Sequence, residues 1–338
     1  MAPDDAAEAR QTMPLLLCLS GGGFRGYYSA LVLAAVEEAV GAPCNRIFDL
    51  IAGTSIGGIL ALGLAHGVPA RTLADMIGEH GPAIFPRYPL PGLRRAFGPP
   101  YRGGRVGDAV KRILPAQASL SLSAAPTPVM VVSVSPATAR LVVLSSWDGG
   151  ATALMSTADA AMATSAAPTY FPSHRASLGS GGTSMDLVDG GIAANAPDAL
   201  AIREATFSLG LPEERLAILS VGTCAPAQGG VGTLTPAAFG VPGTLGRLGG
   251  RGIVDLMMAV QEAHGIAEAK ARLGGGRYLR LDRAPSDAQA KLLQLDNASG
   301  EARQTLEDLA QQTQAGLRDH QSHGVWRRMV ARAQFVRR

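Results

Sequence analysis

Ser55 stands in Gly53-Thr54-Ser55-Ile56-Gly57, a GxSxG pattern between the apolar Leu50-Ile51-Ala52 and Ile59-Leu60-Ala61-Leu62. A serine that attacks a carbonyl needs its hydroxyl exposed on a sharp strand-to-helix turn. Glycines two positions to either side remove the side chains that such a turn would crush. At the start of a helix, backbone N–H groups and the dipole also favour developing negative charge. A close-packed helix start would use the same spacing, so the pattern alone leaves both readings open. A second cluster, Gly21-Gly22-Gly23-Phe24-Arg25-Gly26, follows the apolar run Leu15 to Leu19. Gly21, Gly23 and Gly26 also fit the dinucleotide pattern GxGxxG, which needs an acid ending the second strand to hold a ribose. Asp49 precedes that strand instead, which argues against a dinucleotide.

An attacking serine needs a base. In the α/β-hydrolase order an acid and then a histidine would follow it. His66, His80, His174, His264, His320 and His323 all follow Ser55, and they read as helix-end, helix or surface residues. His174, in Phe171-Pro172-Ser173-His174, is the least easily dismissed. Asp189, in Val188-Asp189-Gly190-Gly191, ends a strand-like run. A carboxylate there, with glycines admitting another backbone, can accept a hydrogen bond from a serine hydroxyl. An ordinary aspartate, with a pKa of about 3.9, is a weak base for that proton, so such a dyad needs a dry, preorganised site. An Asx turn closing a hairpin is the bland alternative. Asp186, expected on the same strand face but without the glycines, is the fallback.

These residues must be carried by regular elements. Leu15 to Leu19 is a short continuous apolar run, the pattern of a buried parallel strand, and Leu50 to Ala52 and Leu216 to Val221 read as further buried strands. Val129 to Val134 and Leu141 to Leu144 form a strand pair across a Pro-Ala-Thr turn. Met185 to Val188 and Tyr278 to Leu281 add further strands. Helices are expected over Ser29 to Val40 (Gly41 ending it), Ile56 to Ala65, Pro69 to about His80, Thr157 to Thr164, Asp198 to Leu209, Ile253 to Leu273, and from Glu301 onward. Strands alternating with helices predict a mostly parallel α/β sheet covered on both faces. Two segments break the rhythm and are expected to be long functional loops. Pro86 to Arg112 interleaves seven basic residues with Tyr88, Leu90, Leu93, Phe97 and Tyr101. Thr223 to Gly252 is rich in glycine and proline, a lid-like segment. The whole of 1–338 is expected to be one domain, with the motifs over about 15–221 and a helical extension over about 253–338.

Taken together, the motifs resemble the patatin-like phospholipase family. Gly21 to Gly26 (GGGFRG) is similar to its oxyanion loop, Gly53 to Gly58 (GTSIGG) to its nucleophile elbow, and Asp189-Gly190-Gly191 to its catalytic aspartate motif. Ala163 to Pro172 (ATSAAPTYFP) is similar to its proline-containing block. The resemblance implies a three-layer α/β/α patatin-like fold with a mostly parallel central sheet, and a Ser–Asp dyad without a histidine. Ser55 would attack the acyl carbonyl of a glycerophospholipid, and Asp189 would take its proton and later activate water on the acyl-enzyme. The oxyanion would rest in the loop of Gly21, Gly22, Gly23, Arg25 and Gly26, with Arg25 holding the loop or lending charge. No cofactor or metal is implied. Within the family, Phe48 to Leu62 and the tract from Asp189 through Asn195-Ala196-Pro197-Asp198 are similar to bacterial phospholipases activated by cyclic GMP-AMP in antiphage signalling. That likeness implies a cytoplasmic effector with cyclic GMP-AMP as allosteric activator. Its partners would be membrane phospholipids, a cyclic dinucleotide and a second copy of the chain as a homodimer. A constitutive lipid acyl hydrolase and a non-catalytic phosphate-binding module are the alternatives.

Composition excludes other classes. Of 338 residues, 47% are hydrophobic and 17% charged, which rules out a disordered chain or coiled coil. A net charge of +3 is too slight for the clustered excess of a nucleic-acid binder. Cys18, Cys44 and Cys224 have no metal or disulfide spacing, which fits a reducing compartment. Asp4, Asp5 and Glu8 stand where a signal peptide would be basic, and no apolar run approaches a membrane span. Peripheral contact with a bilayer is expected from two places. One is the arginines Arg94, Arg95, Arg102 and Arg105; the other is a C-terminal helix presenting Trp326, Val330 and Phe335 among arginines.

Overall fold

A strand covered on both faces is apolar along most of its length, and β1 (Leu15–Leu19) is buried throughout. So are β2 (Leu50–Thr54) and β7 (Ala217–Val221). The computed structural model describes residues 13–84, 103–147, 149, 152–178, 183–225 and 242–336, with side chains of the helix at 242–273 described from 256. The remaining strands are β3 (Val129–Ser135), β4 (Arg140–Ser145), β5 (His174–Ser177), β6 (Ser184–Asp189) and β8 (Tyr278–Leu281). Among the described residues they form one sheet in the order β5-β6-β3-β2-β1-β7-β8, with β4 also paired to β3. The β3-β2-β1-β7-β8 run is parallel, and β4, β6 and β5 are antiparallel additions.

The sheet separates two apolar layers. On one face Leu15, Leu17, Ile51, Val131 and Leu219 pack with helices Gly26–Val40, Ile56–Ala65, Ala70–Ile84 and Gly300–Ala315. On the other, Leu16, Cys18, Ala52, Val132 and Ile218 meet Ala201, Ile202 and Ala205 of helix Asp198–Phe207 and Ala269 and Leu273 of helix Pro242–Leu273. This is the α/β/α sandwich expected from the alternation of elements.

Three expectations change. The segment Pro86 to Arg112 is not all loop: Gly103–Ile113 is a helix, with Val106, Ala109, Val110 and Ile113 buried on one stripe at i, i+3, i+4, i+7. The surrounding basic residues hid that period. Tyr88, Leu90, Leu93, Arg94, Arg95, Phe97, Tyr101 and Arg102 lie outside the described residues, while Arg105 is exposed on the helix. Helix Pro242–Leu273 begins inside the glycine-rich segment, of which 226–241 lie outside the described residues. The third concerns the C-terminal helix Gly324–Val336, whose apolar side does not face a bilayer. Val325, Trp326, Met329 and Ala333 are buried in the core, and Val330 packs against it. Arg332 forks onto Asp49 at 3.2 and 3.0 Å, and Asp49 also accepts the Leu15 N–H at 2.8 Å.

That pair clamps the last helix to the entrances of β1 and β2. Asp49 is buried, so removing Arg332 takes a two-pronged guanidinium from a carboxylate held away from water. Arg332→Ala is expected to cost about 3 kcal/mol of stability, against about 0.5 kcal/mol or less for the exposed neighbour Arg327→Ala. Urea unfolding at pH 7 measures both, and equal losses would show that the clamp contributes nothing.

The register on β3 brings distant residues together. A strand has two edges, and β4 pairs with Met130 to Ser135 along one of them. β2 and β6 must therefore share the other. β2 ends with Thr54 opposite Val132, and β6 ends with Asp189 opposite Ser133. The two strands meet end to end, so the residue after Thr54 arrives beside Asp189.

Candidate active site

Ser55 has φ 56° and ψ −126°, a backbone conformation that costs a non-glycine residue of order 1–3 kcal/mol. Its surroundings hold it there. The Ser55 N–H donates to Thr164 Oγ1 at 3.0 Å, and that hydroxyl donates to the Val132 carbonyl at 2.6 Å. The Ser55 carbonyl accepts from Gly58 and Ile59 at 2.9 and 3.1 Å, which starts helix Ile56–Ala65. A side chain at Gly53 would run into the Gly57 carbonyl, and one at Gly57 into the Leu19 carbonyl. The glycines flanking the serine are thus required by close backbone approach.

Ser55 Oγ donates to Asp189 Oδ2 at 2.6 Å. Asp189 is 1% exposed, and its other oxygen accepts the Gly191 N–H at 2.7 Å. Burial pushes its pKa up to about 6, while the bonds from Ser55 and Gly191 pull it down. The weak base of the free amino acid therefore becomes a stronger one in place. Asp186 does not share this position: it lies three positions before Asp189, so strand alternation turns it to the opposite, exposed face. The histidines are engaged elsewhere. His174 Nε2 lies 2.8 Å from Asp159 Oδ1, His66 Nε2 3.2 Å from Thr157 Oγ1, and His323 Nε2 2.8 Å from the Gly275 carbonyl. None of the six lines the cavity over Ser55.

The glycine loop lies against the same serine. The Gly21 N–H is already spent on the Asn195 carbonyl at 3.0 Å. The Gly26 N–H bonds the carbonyls of Gly23 and Phe24, and the Arg25 N–H bonds Gly22 O. Those three residues therefore offer no backbone donor, which narrows the expected oxyanion set to Gly22 and Gly23. Neither of their N–H groups meets an acceptor among the described residues. Arg25 is buried and its Nε donates to the Gly22 carbonyl at 3.2 Å, so it holds the loop. Gly23 has φ +58°, and a side chain there would strike the Leu295 carbonyl, which also accepts the Phe24 N–H at 2.9 Å. Gly26 leaves room for Ile56.

Beside Ser55 and Asp189 is a cavity whose walls are almost wholly apolar. Ile59, Ile77, Ile84, Val106, Phe171 and Met258 supply much of the lining, with Ser55, Asp189 and Gly23 as its polar end. A cavity of this kind has room for a hydrocarbon chain, with a hydroxyl, a buried carboxylate and the Gly23 backbone at its polar end. No group of three or more His, Cys, Asp or Glu that could hold a metal occurs among the described residues.

The sequence profile of the patatin-like phospholipase family matches residues 17–202. The chain belongs to this family. It is 31% identical to a cGAMP-activated phospholipase of Pseudomonas aeruginosa over 87% of this chain and 85% of that one. It is 32% identical to a cGAMP-activated phospholipase of Vibrio cholerae over 84% and 85%. A patatin-like protein 1 of Oryza sativa subsp. indica is 27% identical over 79% and 73%. Family membership makes the chain a lipid ester hydrolase. No described helix is long and apolar enough to cross a membrane.

Several residues of this patatin-like site escaped sequence reasoning. Thr164 lay inside the quoted proline-containing block, yet nothing local marked its hydroxyl as the anchor of the Ser55 N–H. Met258 and Leu295 reach the site from the C-terminal third, beyond the family's matched span. Thr223 Oγ1 donates to the Gly21 carbonyl at 3.2 Å, and Asn195 Nδ2 faces the same oxygen at 3.4 Å.

Proposed function

We propose that this patatin-like phospholipase cleaves fatty-acyl esters of membrane glycerophospholipids with a Ser55–Asp189 dyad. The observation that carries the reading is the 2.6 Å bond from Ser55 Oγ to a buried Asp189 at the polar end of an apolar cavity. Ser55 attacks the acyl carbonyl while Asp189 takes its proton, and the N–H groups of Gly22 and Gly23 receive the charge on the tetrahedral oxygen. Asp189 then returns the proton to the departing glycerol oxygen, which leaves an acyl-Ser55 ester. Water, deprotonated by the same carboxylate, releases the fatty acid and restores the hydroxyl. Each carboxylate proton is taken once and returned once, so no second base is needed.

The similarity to two relatives named cGAMP-activated phospholipases supports a regulated form of this activity. In this reading the protein is a cytoplasmic antiphage effector that works peripherally on the cell's own inner membrane when cyclic GMP-AMP binds. The test is fatty-acid release from phosphatidylethanolamine–phosphatidylglycerol vesicles by purified protein, with and without a panel of cyclic dinucleotides. Release should rise by tenfold or more with cyclic GMP-AMP and with no other nucleotide at equal concentration. Full release without nucleotide removes the regulatory part and leaves a constitutive lipase. No release under any condition overturns the enzymatic reading itself.

A further inference from the structure

We propose that Asn195, oriented by Glu262 and Arg280, is a positioning residue that aims the Gly22 N–H at the reacting ester. The inference rests on the Ser55–Asp189 reading above. In a trans peptide unit the carbonyl and the following N–H share a plane and point in opposite directions. Whatever holds the Gly21 oxygen therefore aims the Gly22 N–H. Asn195 touches that unit's neighbourhood twice: its backbone carbonyl accepts the Gly21 N–H at 3.0 Å, and its side chain faces the Gly21 oxygen at 3.4 Å, beside Thr223 at 3.2 Å.

The orientation of the amide is determined by its other partner. Asn195 Nδ2 lies 2.9 Å from Glu262 Oε2, and a carboxylate only accepts, so the atom facing it must be the NH2 group. Glu262 is held in place by Arg280, whose guanidinium lies 2.7 Å from Oε1. The same guanidinium pairs with Asp282 at 2.8 Å and donates to Ser20 and Ser220 Oγ at 3.1 and 2.8 Å. Ser20 immediately precedes the glycine loop, so one largely buried cation supports both ends of this contact.

With Nδ2 committed, Asn195 Oδ1 is buried without an N–H or O–H partner. It faces the side-chain directions of Gly21 and Gly191, 3.0 Å from where a Gly191 Cβ would stand. Gly191 in turn supplies the N–H that holds Asp189. A single amide therefore sits between the oxyanion loop and the aspartate turn and sets one against the other. A residue serving packing alone would gain more as a leucine, which leaves no buried acceptor unpaired.

Steady-state kinetics on a soluble chromogenic ester tests this, together with inhibition by an alkylboronic acid whose anionic oxygen occupies the oxyanion site. Asn195→Ala is expected to lower kcat by about 100-fold, to leave KM within about twofold, and to weaken boronic-acid inhibition by a similar factor. A purely structural role would lower the amount of folded enzyme without changing the inhibitor's affinity for what remains. A folded Asn195→Ala protein with wild-type kcat, or with KM raised and kcat unchanged, overturns the proposal. Should that variant not fold, Glu262→Gln decides, since it keeps volume and an acceptor but loses the charge. Its kcat should fall by about tenfold at constant KM, and an unchanged kcat overturns the proposal. Ser55→Ala is run alongside: turnover that survives in it sinks the dyad reading instead of the Asn195 inference.

Discussion

Ser55→Ala is expected to reduce fatty-acid release from phospholipid by about four orders of magnitude or more, the scale seen when a hydrolase loses its nucleophile. The loss should lie in kcat, because the apolar walls of the cavity are untouched. The variant should remain folded, because the bonds that hold the turn are made by the Ser55 N–H and carbonyl, which alanine retains. Ser55→Gly makes a second, opposite point. It removes the nucleophile too, but it relieves the φ 56° strain, so its melting temperature should exceed that of Ser55→Ala. Release by Ser55→Ala within tenfold of wild type would end the reading of this serine as nucleophile.

Asp189→Asn is expected to lower kcat by about 10³–10⁴-fold, since the amide keeps the shape of the carboxylate but cannot take a proton. The wild-type pH profile should carry the same signature. With the carboxylate pushed up to about 6, kcat/KM should fall about tenfold per unit as pH drops below that value. Stability should move the other way. A carboxyl whose folded pKa lies above its unfolded value stabilises the fold fully below the unfolded pKa, and that contribution is lost as pH rises through the folded one. Between about pH 4 and 6, Asp189 should therefore cost the fold on the order of 3 kcal/mol. Asp189→Asn removes this slope, so at pH 8 it should be inactive yet more stable than wild type. Urea titrations at pH 4 and pH 8 read the difference directly, and a variant less stable than wild type at pH 8 would contradict it.

Much of the fold was legible because it depends on near neighbours in the chain. The unbroken apolar run Leu15–Leu19 and the nearly unbroken Ala217–Val221 read as strands covered on two sides. The GxSxG turn and the Asp-Gly-Gly turn declared themselves through steric demands within a few residues. What misled was local too. The basic residues of Pro86 to Arg112 masked the apolar stripe of helix Gly103–Ile113, and the amphipathic C-terminal helix looked like a membrane face when it was a core face. An apolar stripe states that something covers it, and only packing says what.

By itself the sequence determined which elements form, where the backbone must pass without side chains, and that a serine and an aspartate stand on two such turns. The tertiary structure decided that those two turns meet. They are 134 residues apart, and their 2.6 Å contact exists because β2 and β6 end against each other on one edge of β3. It also decided how readily Asp189 holds a proton, since burial raises its pKa and no local pattern encodes burial. The donors left open on the glycine loop are settled the same way. Asn195, Thr223, Arg25 and Leu295 use up particular N–H and carbonyl groups from four separate parts of the chain, and what they leave unpaired is what the chemistry can use.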